Sequence, residues 1–371
     1  MAFDREIFLM QKFGGVAKSF SELISVFNSN PHLDVDPSLT FTRSNNNYLQ
    51  ELNFIELKPQ RKFLAASGGL STLMTLGPIR TTSSLWAGGN PFKNRYDILH
   101  ATYYRPTLVE ELLAKKLVVT IHDFIPELMG WTGVRNPHIG KRRMCQKANK
   151  IISVSQSTTE LLVNFYGLNL DKIETIHHGV RVKEIEDRKQ ENRIPDTPSI
   201  LYVGHRGGYK NFQILAKAIE LANARGLCIK LISAGPELTY QERSVHSSIL
   251  DAGLWEHFTT PDDKLLGDLY LKATVHVVPS FMEGFGMTIL ESMSYGTPTV
   301  LADIPVFHEV AGDNALYFQA NSEESLLATL EQMLNSSTYM QYAEKSVSHA
   351  EENSWELTAE KYAKVYLDLA S

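Results

Sequence analysis

The sequence predicts an α/β protein built from two doubly wound domains with parallel sheets. Three observations carry that expectation. Short β-rich runs alternate with helical stretches along most of the chain. The runs are apolar on both faces, as strands covered on both sides are. A charged, proline-bearing stretch lies near the midpoint and divides the series into two.

Taken in order, "EIFLM", "DILHA", "LVVTIHD", "KIISVS" and "KIETIHHG" read as strands of the first half. Helices are expected over "AKSFSELISVFN" and "TTELLVNFYG". In the second half "SILYVG", "IKLISAG", "TVHVVPS" and "TPTVLAD" read as strands. They alternate with helices over "NFQILAKAIELANARG", "DKLLGDLYLKA" and "MTILESMSYG". The seam is "KEIEDRKQENRIPDTPS", residues 183–199, with Pro195 and Pro198. The expected organisation is a first domain over 1–183, a linker at 184–199 and a second domain over 200–352. The tail, 353–371, closes with a helix at "ELTAEKYAKVYLDLAS".

A length of 371 residues suits two domains of about 100–200 residues each. Hydrophobic residues at 43% supply cores and exclude general disorder. A net charge of −6 argues against nucleic acid as a partner. Cys145 and Cys228 form no CxxC and no disulfide framework, which suits a reducing cytosol. "MAFDREIFLM" lacks a signal-peptide pattern, and no apolar window reaches the ~18 residues of a membrane span. The expected location is cytoplasmic, with a resting place on the inner face of a membrane left open.

In open α/β sheets, ligands bind beyond the carboxyl ends of strands. "LYVGHRGGYKN" turns there through Gly204, Gly207 and Gly208 and presents Arg206 and Lys210. Glycine admits close backbone approach, and two cations suit phosphate oxygens; a plain surface turn would read the same way. The spacing is not that of a Walker loop. "VVPSFMEGFGMTILE" repeats the geometry, with a helix expected from about Gly286. Amides at that helix start can receive an anion. Glu283 then lies in the loop and Glu291, eight positions on, inside the helix. A diphosphate at the helix start would put a sugar on one side and a ribose on the other, and each carboxylate accepts hydroxyl hydrogen bonds. The bland alternative is two unrelated acids on a solvated surface.

"EGFGMTILE" resembles the E-x7-E signature of the family 4 glycosyltransferases, which have the GT-B fold. The resemblance extends to "GGVAKSFSELI", "VVTIHDFIPE", "ISVSQST", "IHHGV" and "YVGHRGGYKN" in the family's order. It implies two Rossmann-like domains facing a central cleft and a retaining transferase that uses a nucleotide-sugar. Arg206 and Lys210 would neutralise the leaving diphosphate. Glu283 would hold sugar hydroxyls and Glu291 the ribose. Gly14, Gly15 and Gly204, with Gly284, Phe285, Gly286 and Met287, would complete the donor site. His122 would lie near the reacting centre, and Asp123 is a weaker cleft candidate. His100 follows a strand and reads either as a cleft residue or as a satisfied structural histidine. Arg206 and Lys210 stand closer together than in other branches of the family. The resemblance implies no cofactor and no metal. "IHDFIPE" and "YVGHRGGYKNF" are most similar to mannosyltransferase-like enzymes of surface polysaccharides, so GDP-mannose is the expected donor and UDP-sugars the alternative. The acceptor would be a saccharide or a lipid-linked saccharide. A non-catalytic subunit that only binds nucleotide-sugar, or an epimerase on the same scaffold, are the competing readings.

Three further features bear on function. Asp34 and Asp36 form a D-x-D between Pro31 and Pro37, and their loop setting argues against a metal site. His177 and His178 end a strand and read as structural. Residues 128–159 contain no acid but carry Arg135, Lys141, Arg142, Arg143, Lys147 and Lys150. That stretch reads either as a solvated basic helix or as a surface drawn to anionic lipid or a lipid-diphosphate acceptor.

Overall fold

A computed structural model describes residues 1–41, 44–51, 95–105, 111, 113–133, 136–184, 188 and 194–371. Arg135 and linker residues 185–187 and 189–193 lie outside the described residues.

The first sheet contains β1 (Ala2–Phe3), β2 (Ser38–Leu39), β3 (Tyr96–Ala101), β4 (Ala114–Ile121), β5 (Lys150–Ser153) and β6 (Ile173–Thr175). Its order is β2-β1-β3-β4-β5-β6. The second contains β7 (Ser199–Val203), β8 (Lys230–Gly235), β9 (Trp255–Thr259), β10 (Val275–Val278), β11 (Thr299–Ala302) and β12 (Leu316–Phe318), ordered β12-β11-β10-β7-β8-β9. Every pairing is parallel. Such sheets need helices on both faces, which explains why β7, β10 and β11 are buried along most of their length and β4 along its second half.

The helices that matter for the site are α1 (Gly15–Ser29), α2 (Lys141–Lys147), α3 (Gln156–Tyr166), α4 (Phe212–Ala224), α5 (Asp263–Lys272), α6 (Met287–Ser294) and α7 (Trp355–Ala370). In α1, Ala17, Phe20, Ile24 and Phe27 recur at helical spacing and are buried. They share one core with Trp355, Tyr362 and Tyr366 of α7. The closing helix therefore returns to the first domain. The chain crosses at Val180 and comes back beside itself at Ser354: the Val180 N–H donates to the Asn353 carbonyl at 2.8 Å, and that of Trp355 to Val180 at 3.2 Å.

"EIFLM" is not a strand. Glu6–Met10 is a short helix that buries Ile7 and Phe8 and leaves Leu9 and Met10 exposed. Asp4 makes the turn, its carboxylate accepting the N–H groups of Glu6 (3.3 Å) and Thr102 (3.0 Å). A four-residue apolar run does not distinguish the two structures by periodicity. The edge strands β2 and β12 escaped detection because they are two and three residues long. β9, "WEHFT", is polar because its outer positions face solvent.

Candidate active site

The order of the second sheet reverses between β7 and β10, so the loops leaving those two strands flank a switch point. One loop presents Lys210 and the other Glu283, and they meet there. The Lys210 Nζ lies 2.6 Å from Glu283 Oε1, which also accepts the Ser280 hydroxyl at 2.8 Å. Asn211, in the left-handed region at φ 53°, ties the loops by donating to the carbonyls of Pro279 (3.1 Å) and Ala320 (2.8 Å). The Phe281 N–H adds a bond to Tyr209 at 2.8 Å. Burial works against the Lys210 charge, but Glu283 outweighs it and raises the pKa above the ordinary lysine value. Lys210 is a fixed cation at neutral pH.

The segment after Glu283 presses on the first domain. A Cβ on Gly284 would lie 1.7 Å from the His122 carbonyl oxygen, so only glycine allows this approach. The Gly284 carbonyl accepts the hydroxyl of Ser155 at 2.7 Å, the residue that also caps α3. Phe285 is buried edge-on to His178, with ring centroids 5.2 Å apart. Gly286 starts α6 at φ 99°, a conformation that favours glycine. His177 bonds Glu309 at 2.7 Å, and Glu309 accepts the first amides of α3, those of Gln156 and Ser157. Both histidines belong to this seam between the domains.

Glu291 lies on α6 and faces α1. Its Oε1 accepts the Lys18 ammonium at 2.8 Å and its Oε2 the Tyr270 hydroxyl at 3.1 Å. Lys18 also reaches Asp263 at 3.3 Å. Gly15 stands beside Met287, whose sulfur would lie 3.5 Å from an added Cβ, and Gly14 caps α1. Lys18, Asp263, Tyr270, Met287 and Glu291 line a cleft of about 470 Å³ with Tyr48. The two acids of E-x7-E thus have separate places, each with its own lysine. Sequence reading did not single out Lys18, Asp263 or Tyr270.

Arg206 pairs with a different acid from Lys210. Its side chain is 3% exposed, with Nε 2.7 Å from Glu242 and an Nη donating to the Glu237 carbonyl at 2.9 Å. Burial opposes the Glu242 charge, but Arg206 and Thr239 hold its pKa down at about 2. The turn after Gly204 aims the guanidinium across the β8 loop toward Glu242, and its Nη1 has no partner among the described residues.

The cleft reading of His100 is corrected: it is a core residue. Both ring nitrogens are bonded, to Tyr366 at 2.6 Å and Thr120 at 2.8 Å, since α7 covers it. His122 is buried against Phe20 and His178, and its ring nitrogens have no partner among the described residues. Burial first, then the neighbouring His178 and His100, holds its pKa well below the ordinary histidine value, so the ring is neutral. The Asp123 carboxylate accepts the Ile125 N–H at 2.8 Å. Lys141 is not a surface cation. It is fully buried, bonded to Glu127 (2.8 Å) and the Asp123 carbonyl (2.7 Å), over the Phe124 ring at 3.6 Å. Removing it would leave Glu127 held by His138 at 2.8 Å and the Tyr166 hydroxyl at 3.0 Å alone. Lys147 pairs with Glu111 at 2.6 Å and Lys150 with Glu174 at 3.3 Å, acids that lie outside the acid-free stretch. Arg142 and Arg143 are exposed.

Two parallel α/β domains, crossed twice by the chain and carrying a lysine–carboxylate pair at a switch point, define the GT-B class. Solved structures agree on that fold. The Anabaena HepE protein in complex with UDP-glucose is 17% identical with a TM-score of 0.70, covering 99% of this chain and 98% of that one. Sucrose-phosphate synthase from Thermosynechococcus elongatus is 16% identical with a TM-score of 0.69, covering 99% and 98%. Two family models meet along the chain: Glycosyltransferase Family 4 at residues 71–184 and Glycosyl transferases group 1 at 183–352. The chain belongs to the family 4 glycosyltransferases and is an enzyme of the transferase class. Among its relatives is the O-antigen chain mannosyltransferase RfbU of Salmonella typhimurium, 25% identical over 57% of this chain and 59% of that protein. Another is the D-inositol 3-phosphate glycosyltransferase of Paenarthrobacter aurescens, 24% identical over 75% and 74%. The chain thus matches a little over half the length of the first and about three quarters of the second.

Proposed function

We propose that the protein transfers a hexosyl group from a nucleotide-sugar, GDP-mannose in the first instance, to a saccharide or lipid-linked saccharide of a surface polysaccharide, with retention of configuration. The observation that carries this reading is the division of E-x7-E. Glu283 sits with Lys210 at the switch point, and Glu291 sits on the helix that follows. Lys210 neutralises the diphosphate as the bond from the anomeric carbon to phosphate oxygen breaks. The acceptor oxygen attacks on the same face, and the departing phosphate oxygen takes its proton. Glu283 is engaged by Lys210 and Ser280, which suits holding hydroxyls rather than forming a covalent intermediate. Two O-antigen mannosyltransferases among the relatives, RfbU and the Escherichia coli mannosyltransferase B, support a mannosyl donor. HepE crystallises with UDP-glucose, which makes a uridine donor the alternative. A thermal-shift screen of GDP-, UDP- and ADP-sugars, followed by nucleotide release without acceptor, tests the proposal. GDP-mannose should give the largest shift and slow release. No response to any of them would overturn it.

The two acids should separate in binding. Glu291→Ala should weaken GDP binding by 10- to 100-fold, since hydrogen bonds to a charged group contribute about 1.5–3 kcal/mol. Glu283→Ala should leave that affinity nearly unchanged and reduce transfer. Calorimetry of both variants decides it, and equal losses would sink the assignment.

The membrane-facing part of the reading rests on fewer cations than the sequence suggested. Arg142 and Arg143 remain exposed, close along the chain to exposed Leu128, Met129, Trp131 and Ile139. Basic and apolar groups together suit an anionic lipid surface. No helix among the described residues is long and apolar enough to cross a membrane. Arg142→Glu with Arg143→Glu should lower cosedimentation with anionic vesicles at least about tenfold at low salt, from about 1 kcal/mol per cation. Equal sedimentation of variant and wild type would remove the membrane from the proposal.

A further inference from the structure

Lys18 breaks a local rule. It lies in the first turn of α1, where the helix dipole disfavours a cation, and that turn holds no acid. A side chain that violates local preference in a well-packed segment is a place to look for function. Its partners are both in the other domain. Glu291 on α6 is 2.8 Å away and Asp263 at the start of α5 is 3.3 Å away. The Lys18 and Glu291 side chains are 20% and 16% exposed, so this contact is partly shielded from solvent. Burial works against the lysine charge, yet Glu291 and Asp263 prevail and raise its pKa, so the ammonium is fully charged. The same groups wall the 470 Å³ cleft.

Glu291 divides its oxygens between the domains. Oε1 takes Lys18 from the first domain, while Oε2 takes Tyr270 from its own. Each carboxylate oxygen has two lone pairs, so both keep capacity for a ribose hydroxyl. An ammonium has three donors, and Glu291 and Asp263 account for two. The geometry therefore allows ribose to be held by Glu291 while Lys18 stays in place. It also means that opening the domains leaves Glu291 held by Tyr270 alone.

We propose that Lys18 is a closure latch, which draws the first domain onto Glu291 and Asp263 and so positions the ribose-holding acid only in the closed molecule. This rests on the donor reading above, because the acid it positions is assigned to the nucleotide. Lys18 acts through Glu291 and is a positioning residue. Its loss should appear mainly in donor KM and in nucleotide affinity, with a smaller change in kcat.

The test uses the full chain with GDP and UDP as probes and spin labels on the two domains. Lys18→Met should raise the Kd of whichever nucleotide binds by about tenfold. It should also shift the inter-label distance distribution toward longer values without any nucleotide. Lys18→Arg should restore both to within about threefold of wild type. Asp263→Asn, at a half-exposed position that tolerates change, should lengthen the distances in the same direction but less. Wild type that binds neither GDP nor UDP would defeat the donor reading, yet the nucleotide-free distances would still report the latch. Wild type that binds, with Lys18→Met unchanged in distance, would overturn the latch and leave the donor reading standing. That holds even if affinity falls, since Lys18 would then be an ordinary nucleotide ligand.

Discussion

Lys210→Ala is expected to lower kcat by about 10²–10³, the usual effect of removing one preorganised group from the place where charge develops. The donor KM should change far less. Interactions that strengthen between ground state and transition state appear in kcat, and charge on the leaving diphosphate develops only as the glycosidic bond breaks. Three features make Lys210 suited to that role. Asn211 holds the turn it stands on, Glu283 fixes its ammonium, and the raised pKa keeps the charge through neutral pH. The variant also leaves Glu283, only 10% exposed, without its cation, so a lower melting temperature is expected. Lys210→Ala combined with Glu283→Gln should recover the melting temperature but not the turnover. Single-turnover kinetics with saturating donor read the effect directly. An unchanged kcat with a raised KM would make Lys210 a binding group only.

The parts of this site that were legible in the sequence are the parts encoded locally. The EGFG loop and its helix could be read because glycines, a strand and an acid fall within one short segment. Lys210 could be read because its turn follows a strand that is apolar throughout. Lys18 had no such signal. Its meaning comes from Glu291, 273 residues away in the chain, and a lone lysine on an amphipathic helix looks like any solvated residue. Arg206 has a partner that the sequence did not signal either. Its neighbours suggest a phosphate, and the pairing with Glu242, 36 residues on, has no local signal. His100 looked like a cleft residue at a strand end until α7, from the far end of the chain, covered it. Lys141 shows the same limit. An acid-free window says nothing about acids brought in from elsewhere, and Glu127 lies just before that window begins. Most strand and helix identities survived, "EIFLM" excepted, because they depend on near neighbours. Charge pairings did not, because they depend on the tertiary fold.

Gly284→Ala tests the seam that these tertiary contacts build, and its effect should rival that of Lys210→Ala. The added Cβ would sit 1.7 Å from the His122 carbonyl oxygen, 2.8 Å from its carbon and 2.9 Å from the Asp123 Cβ. Two of the three are backbone atoms, so no rotamer change relieves the clash. The loop carrying Glu283 and the segment carrying His122 must move apart by more than an ångström. That displacement stretches the Ser155 hydroxyl bond to the Gly284 carbonyl and shifts Glu283 and Lys210 relative to the acceptor side. A misplacement of about 1 Å can cost on the order of 10²-fold in rate, and at least that loss in transfer is expected. The melting temperature should hold to within a few degrees, because both domain cores stay intact and only their contact is altered. Nucleotide affinity should fall less than transfer, since Glu291, Tyr270 and Asp263 all belong to the second domain. Measuring transfer, GDP affinity and melting temperature on one preparation separates these outcomes. Wild-type transfer in the Gly284→Ala protein would mean that the closed contact between Gly284 and His122 is not the arrangement in which the sugar moves.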